Sequence, residues 1–500
     1  MNNIKNITMK QFVILINFLI ICSLPFSTFA QKKTTSKSKK ALNYQITFQL
    51  PGIPDSILYI ANYYGNHTYL RDSLRPLKKN PYTFVFQGSD TLKRGVYILA
   101  SQANAKYMEF IVDSSFFFTV QSEHLEPPVY NIANNVKFIN SPENDLFYQF
   151  TGKMVGWQIE GRNLSKKFKE EQAKTSPNQE YIDELKKQMR ITHDSMQQYT
   201  LRFIEENPNN LFAKAQKLTQ EVEVPDEKPQ QYQDSNWQYQ YYAEHYWDNC
   251  DFNDNAMIYT PVFAPRLAQY YENVIHPSVD SIIKYTDILI EKSKNSYDIY
   301  KYIIWYTSNR FEQSKYLGHD AIFVHLIRTY YEKGLCPWID ETVLERMIDR
   351  ANTLEPILLG KTAPWLIMPD VDGKFHTNYD FTTDYTIMYF WATDCGHCKA
   401  ATAQLLELYN RAKDSLNFDV YAVCLTSDSV EWKNYLAEKK LPWINVGNNK
   451  ANIDFRDAYD INSSPKIFIL DRNKKIILKN IGIEEVEDFL IKHRQGLIKF

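Results

Sequence analysis

Two cysteines separated by two residues carry the clearest chemistry in this sequence. The motif CGHC occupies residues 395–398, between a hydrophobic segment and an amphipathic one. If a strand feeds a helix here, the first cysteine lies at the helix N-terminus, where the helix dipole stabilises a thiolate. A thiolate attacks disulfides, and a second thiol resolves the mixed disulfide that forms. The motif therefore predicts thiol–disulfide exchange, with Cys395 as the attacking thiol, Cys398 as the resolving thiol and a redox disulfide between them.

The residues next to the cysteines are predicted to support this chemistry. A protonated His397 would stabilise the Cys395 thiolate, and stabilising the dithiol form raises the reduction potential. Gly396 has no side chain to obstruct an approaching substrate. Trp391 and Phe390 end the hydrophobic segment. We expect these two aromatic residues to line or support the site, with Trp391 in contact with the substrate.

The second half of the site is predicted at Ser464-Pro465, directly before an apolar segment. A cis proline here would place the Ser464 backbone against the cysteines, and a substrate chain would pair with that backbone as a short strand. Pro465 alone would fit an ordinary turn before a strand. Because CGHC is present and the elements follow in the right order, a cis Pro465 is the favoured interpretation.

Three other interpretations of CGHC are weaker. A zinc site needs about four ligands, and the sequence has no second CxxC and no nearby pair of histidines. A structural disulfide between Cys395 and Cys398 would close too short a loop to stabilise the fold much. A peroxidase of the peroxiredoxin class requires a proline upstream of its cysteine, and Thr393-Asp394 precede Cys395 without one. We expect neither a metal nor a cofactor.

The N-terminus predicts export. Two lysines precede an apolar run over residues 12–24, and a small-residue cleavage site ends at Ala30. These features are typical of a signal peptide, which we place at residues 1–30, so the mature protein is expected in the periplasm or cell envelope. The apolar run is too short to span a bilayer comfortably. Cys22 faintly resembles a lipoprotein box, but the residue before it is not small, so lipid anchoring is disfavoured.

The composition describes a globular protein of several domains. The chain has 500 residues, of which 44% are hydrophobic and 23% charged, and its net charge is −2. This length exceeds a single core, and the charge offers no basic footprint for a nucleic acid. Cys424 lies in an apolar run and is expected to be a buried, unreactive thiol. Whether Cys250 pairs with Cys336 is left open by the sequence.

Hydrophobic periodicity divides the chain into successive segments. Residues 31–42 are polar and basic, which predicts a flexible leader. Residues 43–136 alternate apolar and polar positions between turn signals, which is typical of a β-sandwich. Residues 141–356 show helical spacing and predict an all-α domain. Residues 358–500 alternate strand and helix patterns, so an α/β domain with a central sheet is expected to hold the CGHC motif.

The C-terminal segment, residues 358–500, resembles the thioredoxin superfamily, specifically the TlpA-like extracytoplasmic thiol–disulfide oxidoreductases. The resemblance rests on GKxAP at residues 360–364, on the Phe-Trp end of a strand, on CGHC and on Pro465. It implies a thioredoxin-like fold in which Cys395 is the nucleophile, Cys398 resolves and Pro465 is cis. CGHC also looks like the active site of protein disulfide isomerases. The preceding segments resemble the domains of unknown function that exported members of this family often carry.

The sequence departs from the TlpA-like pattern directly after the second cysteine. Members commonly have an acid and a proline there, whereas this chain has Ala401 and Ala403. No buried acid is evident that would help to deprotonate Cys398. The family resemblance favours a reductant, while His397 favours an isomerase or an oxidant. The direction of electron flow is therefore open.

The leading hypothesis is an exported enzyme that reduces or isomerises disulfides in extracytoplasmic proteins. Its partners would be disulfide-containing exported proteins and a membrane-embedded electron donor. The alternative is an envelope binding or scaffold protein in which the N-terminal domains hold a client and the redox domain is secondary. Selection of clients and formation of a homodimer are two hypotheses for the role of the long N-terminal region.

Overall fold

The N-terminal segment that predicts export lies outside the part of the chain that the structure describes. The predicted signal peptide at 1–30, the cysteine at position 22 and most of the leader at 31–42 are not among the described residues. Within the described part, no helix is long and apolar enough to cross a membrane. The computed structural model describes residues 41–51, 53–102, 106–123, 135–447 and 450–498.

The chain divides into two compact units. One comprises the residues up to 277 together with 288–302, and the other comprises 278–287 together with 303–500. The predicted fold class is confirmed, because N-terminal sheets are followed by a helical region and a C-terminal thioredoxin-like α/β domain. The second unit contains the end of the helical region as well as the α/β domain.

The first unit contains two four-stranded sheets, with strand orders β4-β1-β7-β8 and β3-β2-β5-β6. Alternate residues of β1 are buried, as the period of two predicts for a strand with one covered face. Aromatic side chains join the two sheets, since the rings of Phe48 and Phe110 lie 5.5 Å apart. The strands are β1 (Tyr44–Gln49), β2 (Leu58–Tyr64), β3 (His67–Leu74), β4 (Thr83–Gly88), β5 (Gly95–Ala100), β6 (Lys106–Val112), β7 (Phe117–Ser122) and β8 (Val136–Ile139).

Three helices of the central region begin at a residue whose side chain caps them, namely Asn178, Asn210 and Asp340. Asn178 accepts a hydrogen bond from the Tyr181 amide at the start of α2, and Asp340 caps α9 in the same way. Such caps satisfy amides that lack a partner within the helix. The helices are α1 (Pro142–Gln172), α2 (Gln179–Glu206), α3 (Leu211–Leu218), α4 (Trp237–His245), α5 (Phe263–Gln269), α6 (Val279–Ser293), α7 (Tyr297–Glu312), α8 (Asp320–Leu326) and α9 (Glu341–Leu354), with 3₁₀ turns at Asn255–Tyr259 and Glu355–Ile357 and π turns at Tyr270–Val274 and Ile327–Tyr331.

The α/β domain is built on a five-stranded sheet with the order β13-β12-β11-β14-β15. Its central strand, β11, is buried along its whole length. One apolar cluster contains residues of α10, α11 and α13, and a second contains residues of the β9–β10 region and α12. The elements are β9 (Ile367–Pro369), β10 (Phe375–Thr377), β11 (Tyr385–Trp391), α10 (Gly396–Leu416), β12 (Phe418–Cys424), α11 (Ser429–Lys439), β13 (Ile444–Val446), α12 (Phe455–Ala458), β14 (Lys466–Asp471), β15 (Ile476–Lys479) and α13 (Ile483–Arg494).

A buried carboxylate ties the β-sheets to the helices within the first unit. Asp254 lies 3.0 Å from Arg94, which precedes β5, and 2.8 Å from Lys214 of α3. It also caps the 3₁₀ turn by accepting the Ala256 amide. Although burial disfavours the carboxylate, the Lys214, Ala256 and Arg94 interactions lower the pKa of Asp254. The stabilisation is therefore present above the ordinary pKa of an aspartate and is lost as the pH falls through the lowered pKa.

We predict that Asp254→Asn destabilises the first unit by about 2 kcal/mol at pH 7, a magnitude reduced from that of a fully buried pair because Arg94 is partly exposed. Denaturant unfolding at pH 7 and pH 3 measures the effect. The difference from the unsubstituted protein should be smaller at pH 3 than at pH 7, because Asp254 takes up a proton in the unfolded chain at a higher pH than in the folded protein. The control is Asp183→Asn, which removes an exposed ion pair. An equal effect of both variants would contradict the prediction.

Candidate active site

Strand β11 and helix α10 position the two cysteines. The strand ends at Trp391 and the helix begins at Gly396, so Cys395 is the N-cap residue. Its backbone is extended, and its sulfur accepts a hydrogen bond from the Cys398 amide at 3.1 Å. Serine, threonine or aspartate usually supplies this contact in helices. Here the reactive sulfur itself closes the first turn of the helix.

The loop before β14 brings Ser464 and Pro465 to the same place. The peptide bond between these two residues is cis. The Cys395 thiol points at the Ser464 carbonyl oxygen, at a distance of 3.6 Å. Cys395 is half-buried and Cys398 is completely buried. Four residues that the sequence predicts for the site therefore lie together, although nearly seventy positions separate the two pairs along the chain.

The surroundings of the two sulfurs give them different acidities. Partial burial disfavours the Cys395 thiolate. Hydrogen bonds from the Cys398 thiol and amide, from the Ser464 side chain and from the His397 amide nevertheless lower the pKa of Cys395 overall. Burial raises the pKa of Cys398, and its interaction with Cys395 raises it further. Since the thiolate is the nucleophile, Cys395 is the thiol prepared for attack.

His397 and Gly396 lie on the exposed side of the first helical turn. The His397 side chain is exposed, and its amide rather than its imidazole contributes to the lowered pKa of Cys395. The effect of a protonated imidazole on the thiolate stays a prediction. A Cβ added to Gly396 would meet no atom within 4 Å. The space above the cysteines is therefore open on this side.

Trp391 does not occupy the position that the sequence predicts for it. Its side chain is completely buried, stacked on Tyr389 and 5.0 Å from the ring of Tyr435. Phe390 is also completely buried and packs on the other face of the sheet, against Phe455. Because β11 is the central strand and both its faces are covered, neither aromatic ring can contact a docked substrate. Direct substrate binding by Trp391 is thus corrected to a supporting role.

A polar network missed by the sequence analysis fixes the loop before Cys395. The Thr393 amide donates to the Thr426 hydroxyl at 2.9 Å, and the Thr393 hydroxyl donates to the Glu431 carboxylate at 2.7 Å. Asp428 and Glu431 have the spacing of a capping box, in which the glutamate would return to the N-cap amide. The Glu431 side chain instead holds the loop that leads to the reactive cysteine.

Hydroxyl groups, rather than a carboxylate, lie beside the buried cysteine. Tyr389 of β11 donates to the Cys398 carbonyl oxygen at 3.1 Å and pairs with the Thr402 hydroxyl at 3.0 Å. Ala401, one turn after Cys398, is also buried. No carboxylate among the described residues forms a hydrogen bond with Cys398. A periodicity argument could place Tyr389 in a buried strand but could not show what its hydroxyl contacts.

The other three described cysteines form no disulfide. Cys424 is a buried free thiol on β12, and burial raises its pKa. Cys250 and Cys336 are also free thiols, and burial raises the pKa of both. The described part of the chain contains no cluster of three or more metal-binding side chains.

Two segments of the chain match known protein families, and one of them contains the site. Residues 383–476 match a family described as thioredoxin-like, and this segment contains both cysteines and the cis proline. Residues 173–355 match a family described only as a domain of unknown function, DUF5106.

Individual relatives match the C-terminal part. The chain is 25% identical over 141 residues to the thiol-disulfide oxidoreductase ResA of Bacillus cereus, covering 28% of this chain and 80% of the relative. A solved domain of a possible thiol-disulfide isomerase from Cytophaga hutchinsonii is 38% identical, with 28% of this chain and 97% of that one covered and a TM-score of 0.27. A thioredoxin-like protein from Bacteroides caccae is 18% identical, with 55% and 99% covered and a TM-score of 0.43.

The difference in acidity predicts the order in which the two thiols react. We expect iodoacetamide at pH 7 to modify Cys395 at least about tenfold faster than Cys398 in the reduced protein, because the Cys395 pKa is lowered, whereas burial raises the Cys398 pKa and shields its sulfur. Peptide mass spectrometry after timed quenching measures both rates. Buried Cys424 serves as the internal unreactive reference. Equal rates at the two active-site cysteines, or faster modification of Cys398, would contradict the assignment.

Proposed function

The C-terminal domain belongs to the thioredoxin-like family, and from this premise we propose that the chain is an exported thiol–disulfide oxidoreductase that reduces or isomerises disulfides in extracytoplasmic proteins. The observation that carries the proposal is the Cys395 sulfur at the N-terminus of α10, half-buried, with a lowered pKa and a buried second thiol one turn away. This arrangement supplies an attacking thiolate and a resolving thiol.

The proposed reaction transfers two electrons from the protein to a client. The Cys395 thiolate attacks one sulfur of the client disulfide, the client S–S bond breaks, and the departing thiolate takes up a proton. Cys398 then loses its proton and attacks the Cys395 sulfur of the mixed disulfide. The bond to the client breaks, leaving a client dithiol and a Cys395–Cys398 disulfide. Isomerisation shares the first step, but a thiol of the client resolves the mixed disulfide.

Ser464 supplies the proposed docking point for the client chain. Its carbonyl oxygen lies 3.6 Å from the Cys395 sulfur, and Ser464 and Pro465 are half-buried. An extended peptide that pairs with this backbone would carry its disulfide to the reactive sulfur. The open space above Gly396 gives a second chain room to approach. The client is therefore proposed to be bound through main-chain hydrogen bonds, with little dependence on its side chains.

The proposed setting of the enzyme rests on the N-terminal sequence features. The signal-peptide pattern at residues 1–30 supports export to the periplasm or cell envelope. Structural disulfides form and persist in that compartment, which makes disulfide-containing exported proteins the proposed clients. Each reduction leaves the enzyme oxidised, so an electron donor in the membrane is proposed to restore the dithiol.

We predict that Cys395→Ser abolishes the reduction of insulin disulfides, with a loss on the order of 10³-fold or more, since the serine hydroxyl cannot replace the thiolate as nucleophile. Turbidity of the precipitating insulin chain, with dithiothreitol as electron donor, measures the rate. Cys424→Ser removes a buried thiol that forms no hydrogen bond with either active-site cysteine, and it should retain the unsubstituted rate. Equal turnover of the Cys395→Ser variant and the unsubstituted protein would refute the proposed function.

A further inference from the structure

We infer that Arg350, on the last helix before the thioredoxin-like segment, is a positioning residue for the proposed client-binding loop. It acts on Ser464 and Pro465 through Asp460 and Lys466. The inference rests on the proposed function, because it assigns the loop to client binding. Arg350 lies within the segment of unknown function at residues 173–355, so that segment would contribute directly to the redox site.

Asp460 is the centre of this arrangement. It follows the short helix α12 in a left-handed backbone conformation, with φ at +53°, which an aspartate adopts at some cost. Its side chain is only 12% exposed. Arg350 of α9 donates to both carboxylate oxygens of Asp460, at 2.5 and 3.2 Å. A bidentate pair of this kind fixes orientation as well as distance.

Lys466 holds the other end of the loop, which comprises residues 460–466. It directly follows Pro465, and its ammonium group contacts both the carbonyl oxygen and the carboxylate of Asp460. Its side chain is 13% exposed, and a buried ammonium group needs a counter-charge. The two ends of the segment 460–466 therefore meet at one carboxylate. Ser464 lies between those two fixed ends.

The charges around Asp460 keep this junction ionised. Burial disfavours its carboxylate, but Arg350 and Lys466 lower the pKa of Asp460 overall. Burial lowers the pKa of Lys466, and the attraction of Asp460 offsets part of that effect. Without Arg350, the charges of Asp460 and Lys466 would still balance each other. The loop would then lose the cation that links it to α9.

A second contact holds the same helix against the same region. The Thr353 hydroxyl of α9 donates to the Asp457 carboxylate at 3.3 Å, three positions before Asp460. All these residues belong to one compact unit. Helix α9 thus contacts the segment that leads to the loop through two side chains one turn apart. Arg350 is the stronger of the two because its contact is ionic and bidentate.

The chemical consequence follows from the position of Ser464. Its carbonyl oxygen is 3.6 Å from the reactive sulfur. The position of Ser464 therefore sets how close the disulfide of a paired client chain comes to that sulfur. Displacements of about 1 Å can change rates up to about a hundredfold. None of the hydrogen bonds that lower the pKa of Cys395 comes from Arg350. Loss of Arg350 should therefore weaken client binding, and it reaches the nucleophile only through Ser464, whose side chain helps to lower the Cys395 pKa.

The test compares KM and kcat for reduction of a disulfide-containing peptide by the full chain. We expect Arg350→Ala to raise KM about tenfold with kcat within about twofold, and Arg350→Lys to restore part of the loss, since lysine keeps the charge but not the bidentate contact. The matched control is Arg346→Ala, which removes an exposed arginine of the same helix. The pH dependence of Cys395 alkylation should shift to higher pH in Arg350→Ala and not in Arg346→Ala, because the Ser464 side chain helps to lower the Cys395 pKa.

Two results of the kinetic measurement would overturn the inference. One is an equal KM for Arg350→Ala and Arg346→Ala; the other is a fall in kcat with no change in KM. If Arg350→Ala does not fold, Arg350→Met replaces it, because methionine keeps most of the aliphatic side chain and leaves the Asp460–Lys466 pair intact. Hydrogen exchange of the amides in segment 461–466 gives a readout independent of turnover. If the unsubstituted protein reduces no disulfide, the proposed function fails. The positioning role is refuted separately if hydrogen exchange of these amides is no faster in Arg350→Ala than in Arg346→Ala.

Discussion

The hydrogen bond from the Cys398 amide to the Cys395 sulfur is the contact on which the site depends. It makes the nucleophile the cap of its own helix, so the stability of the helix terminus and the acidity of the thiol come from the same interaction. The first turn can be completed only if the sulfur stays beside the amides. A sulfur in that place is necessarily stabilised as a thiolate by the helix N-terminus.

The neighbouring elements keep that sulfur in place and the second thiol apart from solvent. The Thr393–Glu431 contact fixes the chain before Cys395, and the Tyr389 hydroxyl holds the backbone of the first helical turn from beneath. Burial makes Cys398 a weak acid, so the two thiols differ although they share one turn. Burial and hydrogen bonding thereby assign attack and resolution to different sulfurs, and no carboxylate among the described residues is bonded to the buried thiol.

Sequence patterns predicted the elements whose signals are local. A nearly unbroken apolar run marks strand β11, and the cap residue Asn178 marks the start of helix α2. The burial of Trp391 depends on the position of its strand at the centre of the sheet, which periodicity does not reveal. The Arg350–Asp460 pair joins positions 110 residues apart, and the charged residues themselves resemble ordinary surface residues in the sequence. The strand β13 and the helix α12 are too short to give a periodic signal.

The central claim is that Cys395 and Cys398 form one redox couple, in which the helix N-terminus sets the acidity of the Cys395 thiol. Equilibration of the full chain with glutathione or dithiothreitol buffers, followed by acid quenching and mass spectrometry, tests it most directly. We predict a single two-electron transition between roughly −270 and −120 mV, the range spanned by thioredoxin-type proteins, with the disulfide confined to these two residues. Persistence of both thiols across that range, or a disulfide that involves Cys424, would contradict the account.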